Sequence, residues 1–327
     1  MEAAILLSLS ILVVFISSLL FVNSIEYVAD LMKWSHTFTG AVIAPVFTSI
    51  PELFIFVVAV FIHGGHAGSE IGLGLIFGEP FMTSSISYFL VLLAVLLAVA
   101  LHRIAPGQLS FNRSLRIPFL FVFVLFPLVL VPGIVHVAAL QYAMGALFIA
   151  LYVLYIRTVM GEKTAEIHPP AEEPLINVLL DRRYSAFIQL ALSAILLYFG
   201  SNLMIDSIEA LSSGGLSPLS LSIIVIPVAT AIPETLSAMI WAFRGRNSLA
   251  VGSIVGEKVL YATFYPGIAM LMIPWLTDTQ IYISVAGTTL VSAFFYLSMR
   301  RGRMSPYALA AGLPFFLLYV LIVFAAL

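Results

Sequence analysis

Long apolar stretches alternate with short polar breaks along almost the whole chain. They fall at about 3–25, 37–62, 71–101, 115–132, 134–156, 185–211, 217–243, 248–274, 279–299 and 305–326. A helix needs about 20 mostly apolar residues to cross a bilayer, so the pattern predicts an all-α integral membrane protein with ten transmembrane helices. The opening Met1-Glu2 carries no basic n-region, and the first apolar run exceeds the core of a signal peptide, so this stretch is expected to stay as a helix.

Composition strengthens that reading. Of 327 residues, 62% are hydrophobic and only 9% are charged, against about 25% charged in a soluble domain. Too few ionic groups remain to cover a water-facing surface, which excludes a large extramembrane enzyme domain. A net charge of −2 without a basic run gives no footprint for nucleic acid. The absence of cysteine excludes disulfides, thiolate metal sites and cysteine nucleophiles.

Alternating the connections by side gathers Lys33, Arg103, Arg113, Arg116, Arg157, Lys163, Arg182, Arg183, Arg244, Arg246, Arg300, Arg301 and Arg303 on one face, all but one of the 14 basic residues. The positive-inside rule makes that face cytoplasmic and places both termini outside, in a protein of the cell membrane. Lys258, the exception, lies within a predicted span. The stretch 158–184, with Glu162, Glu166, Glu172, Glu173 and Pro169-Pro170, reads as a solvated linker. It separates residues 1–157 from residues 185–327, with five helices predicted in each.

The two halves repeat one another. Residues 45–52 read Pro-Val-Phe-Thr-Ser-Ile-Pro-Glu and residues 227–234 read Pro-Val-Ala-Thr-Ala-Ile-Pro-Glu, identical at six of eight positions. Downstream of each comes Gly-x-x-x-Gly-Glu, at 74–79 and 252–257. Upstream, Ser24-Ile25-Glu26 matches Ser207-Ile208-Glu209. Repeats of five helices must be inverted in the membrane, and inverted repeats with Pro- or Gly-interrupted helices are the sequence mark of secondary transporters with a midplane site.

Glu52, Glu79, Glu234 and Glu257 would each cost about 2.5–3.5 kcal/mol near the bilayer centre unless cations or protons neutralise them. Thr48 and Thr230 lie one helical turn before Glu52 and Glu234, so each motif presents a hydroxyl and a carboxylate on one side. Pro51 and Pro233 have no N–H and leave the carbonyls of Phe47 and Ala229 without helical partners; Pro45 and Pro227 do the same for Ala41 and Ile223. Such an oxygen set suits hard cations such as Ca²⁺, Mg²⁺ or Na⁺. The glycine pairs permit close approach of a neighbouring helix.

These motifs resemble the α-repeats of the cation/calcium exchanger superfamily, which have the form Gly-Thr-Ser-Leu-Pro-Glu. Their counterparts are residues 47–52 and 229–234, and the resemblance covers about half the chain. It implies alternating access around a central site, with Glu52 and Glu234 as paired calcium carboxylates, Thr48, Thr230 and Ser49 adding oxygens, and Pro45 and Pro227 at the carbonyl-donating positions. In the family a serine and a later Asn or Asp follow the glycine pair. Here the serines are Glu79 and Glu257, the later positions are Thr83 and Tyr261, and one motif serine is Ala231. The resemblance therefore implies exchange of a Ca²⁺-type divalent cation for Na⁺ or H⁺, the added carboxylates favouring H⁺. Transported cations and the bilayer are the implied partners, with no cofactor; oligomeric state is not legible.

Bland alternatives stand beside these readings. Glu79 and Glu257 could pair with Lys258, which in turn could be a tethered cation or could snorkel to the headgroups. Tyr261 reads as packing. His63-Gly-Gly-His66 falls in a predicted external connection, where two histidines alone make a poor metal site. Glu26, Asp30, Asp206 and Glu209 sit toward helix ends. The competing functions are a cation leak using the same glutamates and an intramembrane enzyme, for which no catalytic signature is found.

Overall fold

The computed structural model describes residues 2–31, 46, 48–104, 111, 115–161, 173–176, 181–213, 215–301 and 304–324. Pro45, Phe47, Ala41, Lys33, Arg113, Lys163, Arg303, Glu162, Glu166, Glu172, Pro169 and Pro170 lie outside the described residues, as do the side chains of Glu26, Asp30 and Pro233. Among the described residues all regular structure is helical.

Helices are numbered here in chain order: α1 Glu2–Leu31, α2 Ile50–Val57, α3 Gly65–Met82, α4 Tyr88–Ala100, α5 Arg116–Leu125, α6 Val131–Val135, α7 Ala138–Gly161, α8 Arg182–Ser212, α9 Pro218–Phe243, α10 Asn247–Ala262, α11 Phe264–Met272, α12 Thr279–Arg300 and α13 Leu313–Phe324. Wider helical turns of the π type extend α2 over Val58–His63 and join α3 to α4 over Thr83–Ser87. Among the described residues seven helical stretches are long and apolar enough to cross a membrane. An eighth is reached if Pro218–Ile232 and Glu234–Phe243 count as one bent span.

Two predicted spans take another form. The stretch 37–62 falls partly outside the described residues, and its remainder is the short apolar helix Ile50–His63. The stretch 248–274 is divided between α10 and α11 at Thr263, which leaves helical geometry with φ −135° and ψ −72°. Its hydroxyl donates to the carbonyl of Val259 at 2.6 Å. Pro266, three residues on, has no N–H to restore the ladder across the break.

The described chain divides into two compact units, one of Met1–Leu75 with Thr158–Pro233, the other of Ile76–Arg157 with Glu234–Leu327. Each therefore draws on both halves of the sequence, and α3 and α9 run from one unit into the other.

In the first unit α1 packs along α8. A Cβ at Gly200 would lie 3.0 Å from methyl groups of Val13 and Val14, so the missing side chain sets how closely these helices approach. Gln189 of α8 fastens the pair, donating to the Leu20 carbonyl at 2.9 Å and to Asn23 Oδ1 at 2.8 Å. In the described part of the linker the amide of Leu175 donates to Asn23 Oδ1, that of Ile176 to Gln189 Oε1, and Glu173 pairs with Arg182 at 2.7 Å.

In the second unit α12 packs against α5, and α10 lies against both α5 and α4. Tyr88, Phe119 and Phe295, one from each of α4, α5 and α12, form a fully buried aromatic cluster with centroids 5.1–6.1 Å apart. Edge and tilted contacts of this kind add about 0.5–1.5 kcal/mol each beyond the area they bury. The Trp275 indole donates to the Val129 carbonyl at 2.7 Å, which satisfies a buried N–H and fixes the segment before α12.

Candidate functional site

Glu52 lies in the first turn of α2, after Ser49 at the helix N-cap. Proline in a first turn costs no hydrogen bond, because that N–H has no intrahelical partner. Pro51 thus stands just after a break at Ser49, and Val46 and Thr48 on the other side of that break are also helical. Glu52 is only 1% exposed, and Thr48 and Ser49 are also buried. A carboxylate in a first helical turn lies at the positive end of the macrodipole, a partial compensation for burial. The Ser49 hydroxyl donates to the Val46 carbonyl at 3.1 Å.

The second motif is carried differently. Pro227, Thr230, Pro233 and Glu234 all lie within α9. Without an N–H at Pro227, the buried carbonyl of Ile223 loses its helical donor. Thr230 is fully buried and its hydroxyl donates to the Ile226 carbonyl at 3.0 Å.

Close helix approach at the glycine motifs is also unequal. In the first unit a Cβ on Gly74 would overlap that of Ser222 and sit 3.1 Å from the Leu219 carbonyl, so α3 and α9 meet nearly backbone to backbone. In the second unit a Cβ on Gly252 would meet only the end of Leu115, at 3.2 Å.

Glu79, Thr83, Glu234 and Glu257 belong to the second unit; Thr48, Ser49, Glu52, Thr230 and Pro227 belong to the first. Glu79, Thr83 and Glu257 are buried, and Glu234 is partly buried. Pro80 within α3 withholds an N–H, and the chain responds with the wider turns of Thr83–Ser87. The hydroxyls of Thr83 and Ser84 both donate to the Pro80 carbonyl, at 3.1 and 2.5 Å. π-type turns often mark functional segments.

Two residues that the sequence reading passed over join these elements. The Thr235 hydroxyl donates to Ser87 Oγ at 2.7 Å, with both groups buried, and so ties the residue after Glu234 to the turn after Glu79. The available signal was the run Thr83-Ser-Ser-Ile-Ser87, a polar cluster inside an apolar stretch. Ser292 of α12 is the other, through its bond to Lys258 at 2.8 Å.

Lys258 is 0% exposed, so it does not snorkel. Its amine lies 5.4 Å from the Tyr88 ring centroid and 5.9 Å from that of Phe119. Among the described residues it makes no salt bridge. Tyr261 is buried and rests on Tyr265 with centroids 4.9 Å apart, as packing predicts.

The two histidines diverge. His63 shares a hydrogen bond of 3.1 Å with Asn202 Oδ1 and faces Asp206 and Glu209 at 3.7 and 4.0 Å, whereas His66 faces Glu70 at 3.3 Å. Asp206, at 67% side-chain exposure, has the open helix-end setting expected of it. Among the described residues no three His, Asp or Glu side chains form a metal-holding group.

Comparison with known proteins identifies this architecture. The family model for sodium/calcium exchanger proteins matches residues 2–161 and 185–327. The chain belongs to that family. It is a multi-pass membrane transporter and not an enzyme. The exchanger is 24% identical over 300 residues to CaxA of Alkalimonas amylolytica, a proposed antiporter, covering 87% of this chain and 86% of CaxA. It is 26% identical over 123 residues to the inner membrane protein YrbG of Escherichia coli strain K12, covering 37% and 38% of the two chains.

Solved structures share its fold. An H⁺/Ca²⁺ exchanger, CAX, matches with a TM-score of 0.72 at 16% identity, over 99% of this chain and 87% of that one. YfkE matches at 0.70 and 15% identity, over 99% and 92%. The sodium-calcium exchanger NCX_Mj matches at 0.58 and 16% identity, over 98% of each.

Proposed function

We propose that this protein is a secondary active antiporter that exchanges Ca²⁺, or a similar divalent cation, for H⁺ or Na⁺ by alternating access. Ten helices in two inverted repeats, residues 1–157 and 185–327, flank the linker 158–184. They reside in the cell membrane with both termini outside. Glu52 and Glu234 are the paired carboxylates of the transport site, with Thr48, Thr230 and Ser49 adding hydroxyl oxygens and Pro45 and Pro227 marking the carbonyl-donating positions. Glu79, Glu257 and Thr83 complete the cation-binding set.

The observation that carries this reading is the duplicated Thr-x-x-x-Glu pair, with Glu52 buried in the first turn of its helix and Thr230 buried within the other motif helix. A structural acid would not need its whole eight-residue setting twice. Ca²⁺ accepts six to eight oxygens in flexible geometry, which suits two carboxylates supplemented by hydroxyls and carbonyls. CAX is an H⁺/Ca²⁺ exchanger and NCX_Mj a sodium-calcium exchanger, and both support a calcium substrate. Glutamate in place of serine at 79 and 257 favours the proton as counter-ion, because a buried carboxyl can alternate between neutral and charged forms.

Labelled-calcium flux in proteoliposomes, with sodium and pH gradients imposed separately, tests the proposal. Uptake driven by the pH gradient is expected. Uptake that follows sodium and ignores pH would refute the proton assignment, and calcium running down its own gradient with neither counter-ion would make the protein a leak.

A further inference from the structure

We propose that a groove between α4 and the last ten residues of α9 binds an anionic phospholipid, with its phosphate held by Arg103 and Arg244. The groove lies within the second unit and encloses about 850 Å³, inside the range of roughly 300–1,000 Å³ typical of ligand clefts. Leu93, Ala94 and Leu97 form one wall, and Leu236, Met239, Ile240 and Phe243 form the other. The second set follows the i, i+3, i+4, i+7 spacing of a single helix face.

Apolar surface is ordinary on a membrane protein, and by itself would select no particular lipid. The arginines make the difference. Arg103 stacks on the Phe243 ring at 5.5 Å, so the side chain after α4 reaches the end of the neighbouring helix and is held there. Ile104 also meets the turn after α9, 3.5 Å from where a Cβ on Gly245 would be. Both arginines consequently stand at one end of the groove.

Neither guanidinium is needed to close the helix end beside it. A helix C-terminus commonly occupies nearby cations with its unpaired carbonyls. Here both helices close on their own backbone through the same motif. His102, at φ 55°, donates from its amide to the Val99 carbonyl while Arg103 donates to that of Ala98. Gly245, at φ 80°, donates to the Ala242 carbonyl while Arg246 donates to that of Trp241. Among the described residues no carboxylate pairs with Arg103 or Arg244. Two guanidiniums without a described carboxylate partner above an apolar trough match a phosphate carrying acyl chains, and guanidinium suits phosphate through paired N–H donors.

The test is native mass spectrometry of the full chain in detergent with phosphatidylglycerol or phosphatidylcholine of identical acyl chains. The wild type is expected to retain phosphatidylglycerol preferentially, by about fivefold per arginine. Arg103→Gln and Arg244→Gln should each remove about that factor, whereas Arg182→Gln with Arg183→Gln, in the other unit, should not. Leu97→Trp fills the trough and should lower phosphatidylglycerol retention with both arginines in place. Inorganic phosphate should neither bind nor displace the lipid.

Equal retention of the two lipids by the wild type overturns the proposal, as does a preference that survives both glutamine substitutions or is lost equally in the Arg182 and Arg183 control. Competition by inorganic phosphate would identify a free anion as the ligand and overturn the lipid assignment. If the double glutamine variant does not elute as folded protein, the wild-type comparison and Leu97→Trp decide.

Discussion

Lys258 donates from its amine to Ser292 Oγ at 2.8 Å, and Ser292 passes its own proton to the Thr288 carbonyl at 2.7 Å. Among the described residues the serine hydroxyl is thus the single hydrogen-bond acceptor for a fully buried amine that otherwise meets aromatic ring faces. A buried amine without an ion-pair partner costs stability, whereas an apolar side chain of similar length fits the same space. Lys258→Met is therefore expected to melt at or above the wild-type temperature in detergent. Ser292→Ala strands the amine and should cost about 1–3 kcal/mol. The reverse order of melting temperatures would show that Lys258 is a stabilising charge.

The glycine motifs give a second comparison. Gly74→Ala places a Cβ against Ser222 and the Leu219 carbonyl, neither of which can swing aside, so helix separation must grow. Overpacking of this kind costs about 1–3 kcal/mol. Gly252→Ala meets only the mobile end of Leu115 and should fall within about 0.5 kcal/mol of wild type. Thermal unfolding of the two variants in one detergent checks the asymmetry, and equal losses would contradict it.

Class and family were legible because transmembrane helices require long apolar runs and because the motif is written twice. Nearly every predicted apolar stretch has a helix beneath it, from Glu2–Ile25 to Pro306–Val323. What sequence left hidden depends on context. Pro51 and Pro233 occupy the same motif position, yet Pro51 stands in the first turn after a break at Ser49 and Pro233 within the bent α9, a difference of backbone setting that the shared motif does not record. The break at Thr263, three residues before Pro266, falls inside one apolar run, and apolar periodicity does not record it. The aromatic surroundings of Lys258 come from α4 and α5, far away in sequence, and no local pattern announces them.

Thr235 and Ser87 form a bond whose worth can be isolated. Thr235→Val removes one hydroxyl and strands that of Ser87, Ser87→Ala removes the other hydroxyl, and the double variant removes both. Each single change should cost about 1–3 kcal/mol. The double should cost less than their sum, with a coupling of about 0.5–1.5 kcal/mol in a double-mutant cycle. Strict additivity would mean that the two hydroxyls act independently.

Glu52→Gln and Glu234→Gln keep side-chain volume and hydrogen-bonding capacity but delete the charge that a divalent cation needs. Each is expected to abolish calcium flux, with protein yield, membrane insertion and melting temperature close to wild type. Flux at the wild-type level in either variant would count directly against the paired-carboxylate site.

Glu257→Ser moves the second motif back toward the superfamily pattern. In the antiporter proposed above, a carboxyl at this position supplies proton exchange, so a serine should weaken the response of calcium uptake to a pH gradient and strengthen its response to sodium. The effect is read as the ratio of pH-driven to sodium-driven flux, which changes in protein yield leave untouched. Glu79→Ser, the matching change in the other repeat, should move that ratio in the same direction if inverted repeats contribute alike. A ratio unaltered in both variants would assign Glu79 and Glu257 a structural role, with proton coupling carried by Glu52 and Glu234 themselves.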